Sequence, residues 1–303
     1  MPDSVLIVGT GALACLFGAR LAAAGVEITM LGTWREGLAA LRQHGVTLVQ
    51  PDGKQTAYPV TATNNPNDCK GAKYALVLVK AWQTDRAAGQ LAECLSNDGV
   101  ALTLQNGLGN RETLADALGE ERVALGVTTT GATLLSSGRV RPGGEGAVSI
   151  GKHPKLKPLS DLIEKAGFNL DILEDVDSLI WGKLVINAAI NPVTAMLQVP
   201  NGELLTRPTA RELSAALANE VAAVASAQDI VLSFGDPAAA AEGVAERTAA
   251  NHSSMLQDVQ RGAPTEIEAI CGEVVAYGEK FGVPTPANKT LWQLVAALRD
   301  NHE

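Results

Sequence analysis

Over the first half of the chain short apolar runs alternate with stretches of helical periodicity, and over the second half helical periodicity stands alone. Val5-Leu6-Ile7-Val8 ends in Gly9-Thr10-Gly11, after which apolar residues recur at Cys15, Leu16, Ala19 and Ala22 until Gly25, the spacing of one helix face. That reads as strand, glycine turn, helix. A second strand is predicted over Glu27 to Leu31, a helix over Glu36 to His44, and short strands near Thr47 to Gln50 and Thr56 to Thr63 around a Pro-Asp-Gly turn. Tyr74 to Val79 and Val100 to Leu104 are unbroken apolar runs, which predicts parallel strands covered on both faces. Between residues 122 and 151, Val127 to Thr130, Arg139-Val140 and Ala147 to Gly151 predict later, partly antiparallel strands of the same sheet. A helix over Leu159 to Ala166 and a strand over Leu170 to Leu173 complete the region.

After Asp175 strand-like runs nearly vanish, and Ala-rich stretches at 176–197, 208–228, 237–260, 265–281 and 287–300 predict an all-α second domain. The expected division is an α/β domain over 1–174, with a mainly parallel sheet, and an all-helical domain over 175–303. No internal repeat or low-complexity linker separates them, so the junction should be short and a cleft between the two the natural active site. A chain of 303 residues that is 46% hydrophobic has the apolar content for two such cores.

Charge and composition narrow the partners. Lys+Arg 24 against Asp+Glu 33 gives a net charge of −9, which disfavours docking on nucleic acid or on an anionic membrane and favours a small-molecule partner. Cys15, Cys69, Cys94 and Cys271 stand singly without Cys-x-x-Cys spacing, so they are expected to be reduced and mostly packing. The histidines show no metal-ligand spacing and there is no Gly-x-Ser-x-Gly elbow, so no metal site is expected and acyl-serine chemistry is disfavoured. The N-terminus has no basic region before its apolar run, and no uninterrupted apolar stretch reaches the ~18 residues of a membrane span, so a soluble cytoplasmic protein is expected. The Ala-rich second domain could bury a helix face against a second copy, giving a homodimer.

Gly9, Gly11 and Ala14 fill the pattern Gly-x-Gly-x-x-Gly/Ala between a predicted strand and a predicted helix, the context of a Rossmann dinucleotide site. Gly9 permits the tight turn, Gly11 lets backbone approach a pyrophosphate, and the helix N-terminus offers N–H groups and a positive dipole end. An NAD site usually carries Asp or Glu about 20 residues further on, at the end of the second strand. Here that end reads Leu31-Gly32-Thr33-Trp34-Arg35, with no carboxylate to repel a 2′-phosphate. Arg35, supported by the Thr33 hydroxyl, is a candidate phosphate clamp favouring NADP, with a solvated loop arginine as the plain alternative and NAD as the alternative cofactor.

In the helical half, Lys183, Asn187 and Asn191 stand at i, i+4 and i+8 amid apolar residues, a polar line if the helix is continuous. Asparagine is a poor helix former and costs free energy to bury unpaired, so the line wants either solvent or a ligand. Pro192 disfavours helical geometry at Asn191 and predicts a kink or an end there. Thr265 and Glu268 have capping-box spacing, which leaves Glu266 either complementing the helix dipole or facing a lysine whose ammonium it would hold. Asn106-Gly107-Leu108-Gly109 and Lys80-Ala81-Trp82-Gln83 each follow a buried strand, at the sheet edge where open α/β folds bind ligands.

Together these segments resemble the ketopantoate reductase (2-dehydropantoate 2-reductase) family over essentially the whole chain. The blocks that carry the likeness are Gly9-Thr10-Gly11-Ala12-Leu13, Lys80-Ala81-Trp82-Gln83, Asn106-Gly107-Leu108-Gly109, Trp181 to Asn187, Ile190 to Ala195, Pro200-Asn201-Gly202-Glu203-Leu204, Ser253 to Asp258 and Thr265-Glu266-Ile267. The resemblance implies NADPH-dependent reduction of a 2-oxo acid, ketopantoate, to pantoate, on the route to pantothenate and coenzyme A. It implies Lys183 as proton donor with Glu266 as its partner, and Asn106, Asn187, Asn191, Asn201 and Ser254 at the substrate. Gly9, Thr10, Gly11, Ala12, Leu13, Thr33, Arg35, Lys80, Asn106 and Glu266 would be at the cofactor. Two departures are Ala14 for the third glycine and Thr33 where the family often has a basic residue, Arg35 being displaced by two. A related reductase of another 2-oxo acid and a non-catalytic dinucleotide sensor are the rival readings.

Overall fold

In a computed structural model residues 4–144 and 146–298 are described, and they form two compact units. One comprises residues up to Gln105 together with Asn110–Val176; the other comprises Asp177 onward together with the short segment Asn106–Gly109.

The first unit runs β1 (Ser4–Val8), α1 (Ala12–Ala23), β2 (Glu27–Leu31), α2 (Arg35–His44), β3 (Val46–Val49), β4 (Gln55–Tyr58), β5 (Thr61–Thr63), β6 (Ala72–Val77), α3 (Thr84–Cys94) and β7 (Leu95–Thr103). It continues with α4 (Asn110–Leu118), β8 (Val123–Thr128), β9 (Ala132–Ser136), β10 (Arg139–Pro142), β11 (Ala147–Gly151), α5 (Lys157–Lys165) and β12 (Asn169–Leu173). Among the described residues the main sheet has eight strands in the order β12-β11-β8-β7-β6-β1-β2-β5. It is parallel from β5 to β8 and turns antiparallel at the β8–β11 pair.

Alternate residues of each central strand feed two different cores, as the two-residue strand period requires. Val5 and Ile7 of β1 pack with α1, α2 and α5, whereas Leu6 and Val8 pack with α3 and α4. Burial of both faces is why these strands read as unbroken apolar runs.

Two expectations are corrected. The run 56–63 is not one strand: Pro59, which has no N–H to give a ladder, falls between β4 and β5, and these join different sheets. Residues 132–142 do not extend the main sheet either. They form the β9–β10 hairpin of a second, four-stranded sheet, β4-β3-β10-β9, in which β10 pairs in parallel with β3. Helix α1 touches all four strands of this sheet as well as β1 and β2, so it is enclosed between the two sheets. Phe17 on α1 is fully buried and stacks on Phe168 with ring centroids 4.1 Å apart.

The second unit is helical: α6 (Asp177–Leu197), α7 (Glu203–Thr206), α8 (Pro208–Ser226), α9 (Pro237–Arg247), α10 (Ser254–Gln260), a π-helical stretch Glu268–Gly272 leading into α11 (Glu273–Phe281), and α12 (Pro286–Ala297). Helix α6 is its axis, contacting α7, α8, α9, α10 and α12. The predicted helix over 237–260 is two helices, the second restarted by Ser253, whose hydroxyl accepts from the Leu256 N–H.

Candidate active site

The glycine turn follows β1 directly. Gly9 has φ +132, and a Cβ there would stand 3.0 Å from the Leu78 carbonyl group, so only glycine lets the turn lie against the chain leaving β6. Gly11 is exposed at the N-cap of α1 with no side chain capping the helix, no acidic residue in the first turn and open space where a Cβ would be. Backbone N–H groups and the positive dipole end therefore face outward where an anion can approach. Thr10 and Ala14 are buried, Ala12 and Leu13 half-buried. Thr33 and Arg35 are both exposed beyond β2, and Arg35 opens α2 instead of lying in a loop. Lys80, half-buried, caps the short 3₁₀ turn Ala81–Gln83 beyond β6.

Helix α6 carries the polar line. It is continuous over 21 residues and passes through Pro192, so of the kink or end expected there the end does not occur. A helical proline leaves the carbonyl four residues before it without its usual donor. Hydroxyls crowd the same turn: Ser214 donates to the Ala189 carbonyl at 2.9 Å and Thr194 to the Ile190 carbonyl at 2.9 Å. Lys183, Asn187 and Asn191 thus share one face over about 12 Å, at about 1.5 Å of rise per residue. Asn191 is buried, Lys183 and Asn187 partly so.

Burial among apolar neighbours pulls the Lys183 ammonium down from its usual 10.5 to about 8, an effect the nearby Glu266 carboxylate opposes. Glu266 is itself buried, and its Oε2 accepts from Asn106 Nδ2 at 3.3 Å. The anticipated Thr265–Glu268 capping box does not form. The helical ladder begins one residue later, with the Ile270 N–H donating to the Glu266 carbonyl, and no side chain caps the π-helical stretch that follows. Ile267 occupies the cap position, and the Glu266 carboxylate just before it is left for Asn106 and Lys183. Asn106 is delivered by a tight loop. The Leu108 N–H donates to the Ala269 carbonyl at 2.9 Å, and at Gly107, where φ is +79, a Cβ would stand 2.3 Å from that same oxygen.

A second cluster lies further along the same unit. Asn201 is buried, donating Nδ2 to Thr248 Oγ1 at 2.9 Å, while its Oδ1 has no hydrogen-bond partner among the described residues. The Asn201 and Gly202 N–H groups donate to the carbonyls of Asn251 and Ala249, tying this turn to the strip that leads to Ser253 and the exposed Ser254. Thr194 completes the tie, its Oγ1 standing 2.7 Å from Ser253 Oγ. Thr194 was not singled out from sequence, though its place at i+7 from Asn187 puts it on the same helix face.

Two family models match the chain: "Ketopantoate reductase PanE/ApbA" over residues 5–155 and "Ketopantoate reductase PanE/ApbA C terminal" over residues 175–299. The chain belongs to the ketopantoate reductase family. Among curated relatives of that family, 2-dehydropantoate 2-reductase of Archaeoglobus fulgidus is 37% identical, with 97% of each chain covered. Among solved structures, a PanE/ApbA family ketopantoate reductase from Ralstonia eutropha matches with a TM-score of 0.91 at 31% identity, covering 98% of both chains. A D-mandelate dehydrogenase in complex with NADH and anilino(oxo)acetate matches with the same TM-score at 27% identity, again over 98% of both chains. The ketopantoate reductase frame, a mostly parallel α/β unit followed by a helical one, is thus the frame of this chain.

Proposed function

We propose that this chain reduces 2-dehydropantoate to pantoate with NADPH, as its relatives' names describe, in pantothenate and coenzyme A biosynthesis. The observation that carries the reading is the Lys183–Glu266–Asn106 cluster: a lysine whose ammonium is held down to about 8, beside a buried carboxylate that an amide engages.

NADPH, when bound, supplies the hydride. The residues present suit that cofactor: the turn at Gly9 to Leu13, open at Gly11, suits the pyrophosphate, Thr33 and Arg35 beyond β2 offer a hydroxyl and a guanidinium to a 2′-phosphate, and Lys80 and Asn106 follow the neighbouring strands. Lys183 holds a proton on Nζ for the alkoxide that develops at the keto oxygen, and its depressed pKa makes that proton easier to give near neutrality. Glu266 keeps the ammonium charged and in place. Asn187, Asn191 and Asn201 offer amides to the distal hydroxyl, the buried Asn201 Oδ1 suiting a hydroxyl donor, and Ser254 takes the carboxylate.

The test is oxidation of NADPH and, separately, NADH with ketopantoate, using 2-oxoisovalerate and an aryl-substituted 2-oxo acid as controls. Fast NADPH turnover on ketopantoate alone supports substrate and cofactor together. Preference for the aryl acid with NADH would move the chain toward the D-mandelate dehydrogenase neighbour, and tight NADPH binding without turnover would favour a sensor. A cytoplasmic location goes with this reading. Helix α6 is long and apolar enough to cross a membrane, but 67% of its apolar window is buried inside the protein, as in a core helix.

A further inference from the structure

The loop that presents Asn106 is bracketed by Gln105 and Asn110, and both side chains meet at one hydroxyl. Gln105 Nε2 donates to Thr84 Oγ1 at 2.9 Å, and Thr84 Oγ1 stands 2.8 Å from Asn110 Oδ1. The same oxygen is 2.8 Å from the Ala81 carbonyl, in the turn that begins at Lys80. A hydroxyl accepts and donates at once, and here it accepts from Gln105 and shares its proton between Asn110 and Ala81. Gln105 is fixed in turn, its Oε1 accepting from Thr103 Oγ1 at 2.9 Å. Thr84 is only 4% exposed, so this knot is sheltered from water.

The knot brackets in sequence a segment of four residues, Asn106 to Gly109. Gly107 and Gly109 both have φ near +80, at +79 and +81, so two of the four residues between the anchors are glycines in the left-handed region. We propose that Thr84 is a positioning residue: its hydroxyl closes the base of the Asn106–Gly109 loop and so fixes where the Asn106 amide stands. The inference rests on the reductase reading for its catalytic consequence, but not for its structural one. A valine would fill the same volume without donor or acceptor, leaving Gln105 and Asn110 without their common partner. Serine would restore the hydroxyl.

Hydrogen exchange on the full chain tests the structural part without any ligand. Thr84→Val should speed exchange across the 105–110 segment, the Leu108 amide included, by about tenfold, with Thr84→Ser close to wild type. Unchanged exchange in Thr84→Val would overturn the proposal whatever the enzyme's substrate. The catalytic part is a double-mutant cycle with kcat and KM for NADPH and 2-dehydropantoate. Thr84→Val should lower kcat/KM by about tenfold or more, since misplacements near 1 Å can cost about 10²-fold. In an Asn106→Ala background it should cost less than about twofold, because the partner it positions is gone. A full-sized loss in that background would mean that Thr84 acts elsewhere and would sink the proposal. Should Thr84→Val not fold, Gln105→Met removes the same bond from the other side and enters the same cycle. A wild-type protein inactive on every 2-oxo acid would defeat the reductase reading while leaving the exchange result to decide the role of Thr84.

Discussion

Lys183 shows how one side chain's surroundings set two properties with opposite pH dependence. A general acid works while protonated, so kcat/KM should be level below pH 8 and fall as pH rises through about 8. Stability should move the other way. The folded lysine titrates near 8 and the unfolded one near 10.5, so the unfolded chain binds more protons in that window and the contribution of Lys183 to stability rises with pH across it. Because Glu266 raises the lysine pKa, Glu266→Ala should carry the alkaline limb of the profile to lower pH; an unmoved limb would return Glu266 to complementing the helix dipole. Lys183→Ala should lower kcat by about 10²–10⁴-fold, and a tenfold loss or less would reject it as the acid. The residue types were legible in the sequence, since lysine and two asparagines at fourfold spacing in an apolar run require a reason. The position of Glu266 was less so. Thr265 and Glu268 satisfied a local capping rule, but the ladder starts one residue later.

Among the elements, those whose burial is decided by the local period were readable: β1, α1 and β2 fall where the pattern puts them, and α6 runs over nearly the predicted span. Proline misled twice, in opposite directions. Pro192 was read as a kink or an end and α6 runs on past it, while Pro59 was passed over and divides β4 from β5. The difference is tertiary, because the turn around Pro192 is packed within α6 contacts and long-range hydroxyl hydrogen bonds, Ser214 to the Ala189 carbonyl and Thr194 with Ser253, that a window of sequence does not contain. The bond between Thr194 and Ser253 ties α6 to the start of α10, so Thr194→Val should destabilise the protein by about 1 kcal/mol in denaturant melts. It should also raise KM more than it lowers kcat if Ser254 binds substrate. Gly107→Ala should be harsher, because the added methyl meets the Ala269 carbonyl and the left-handed φ is lost; activity should fall with Asn106 displaced from Glu266.

For the molecule as a whole, division into an α/β unit and a helical unit was visible in the change of periodicity, whereas the second sheet was not. Pairing of β3 with β10 joins residues near 47 to residues near 139, and alternation at either place looks the same whichever sheet receives it. Enclosure of α1 between two sheets makes its buried side chains costly to shorten: Phe17→Ala should destabilise the first unit by about 3–5 kcal/mol, read as a shift in its unfolding midpoint. The continuous α6 helix has another kind of consequence, one for descent. Lys183, Asn187 and Asn191 hold their alignment only while the number of residues between them stays fixed, since one inserted residue would turn the asparagines about 100° away from the lysine. Relatives that come to favour a different 2-oxo acid should therefore differ by substitutions along this helix and by length changes in the loops, with the spacing of the helix itself inherited unchanged.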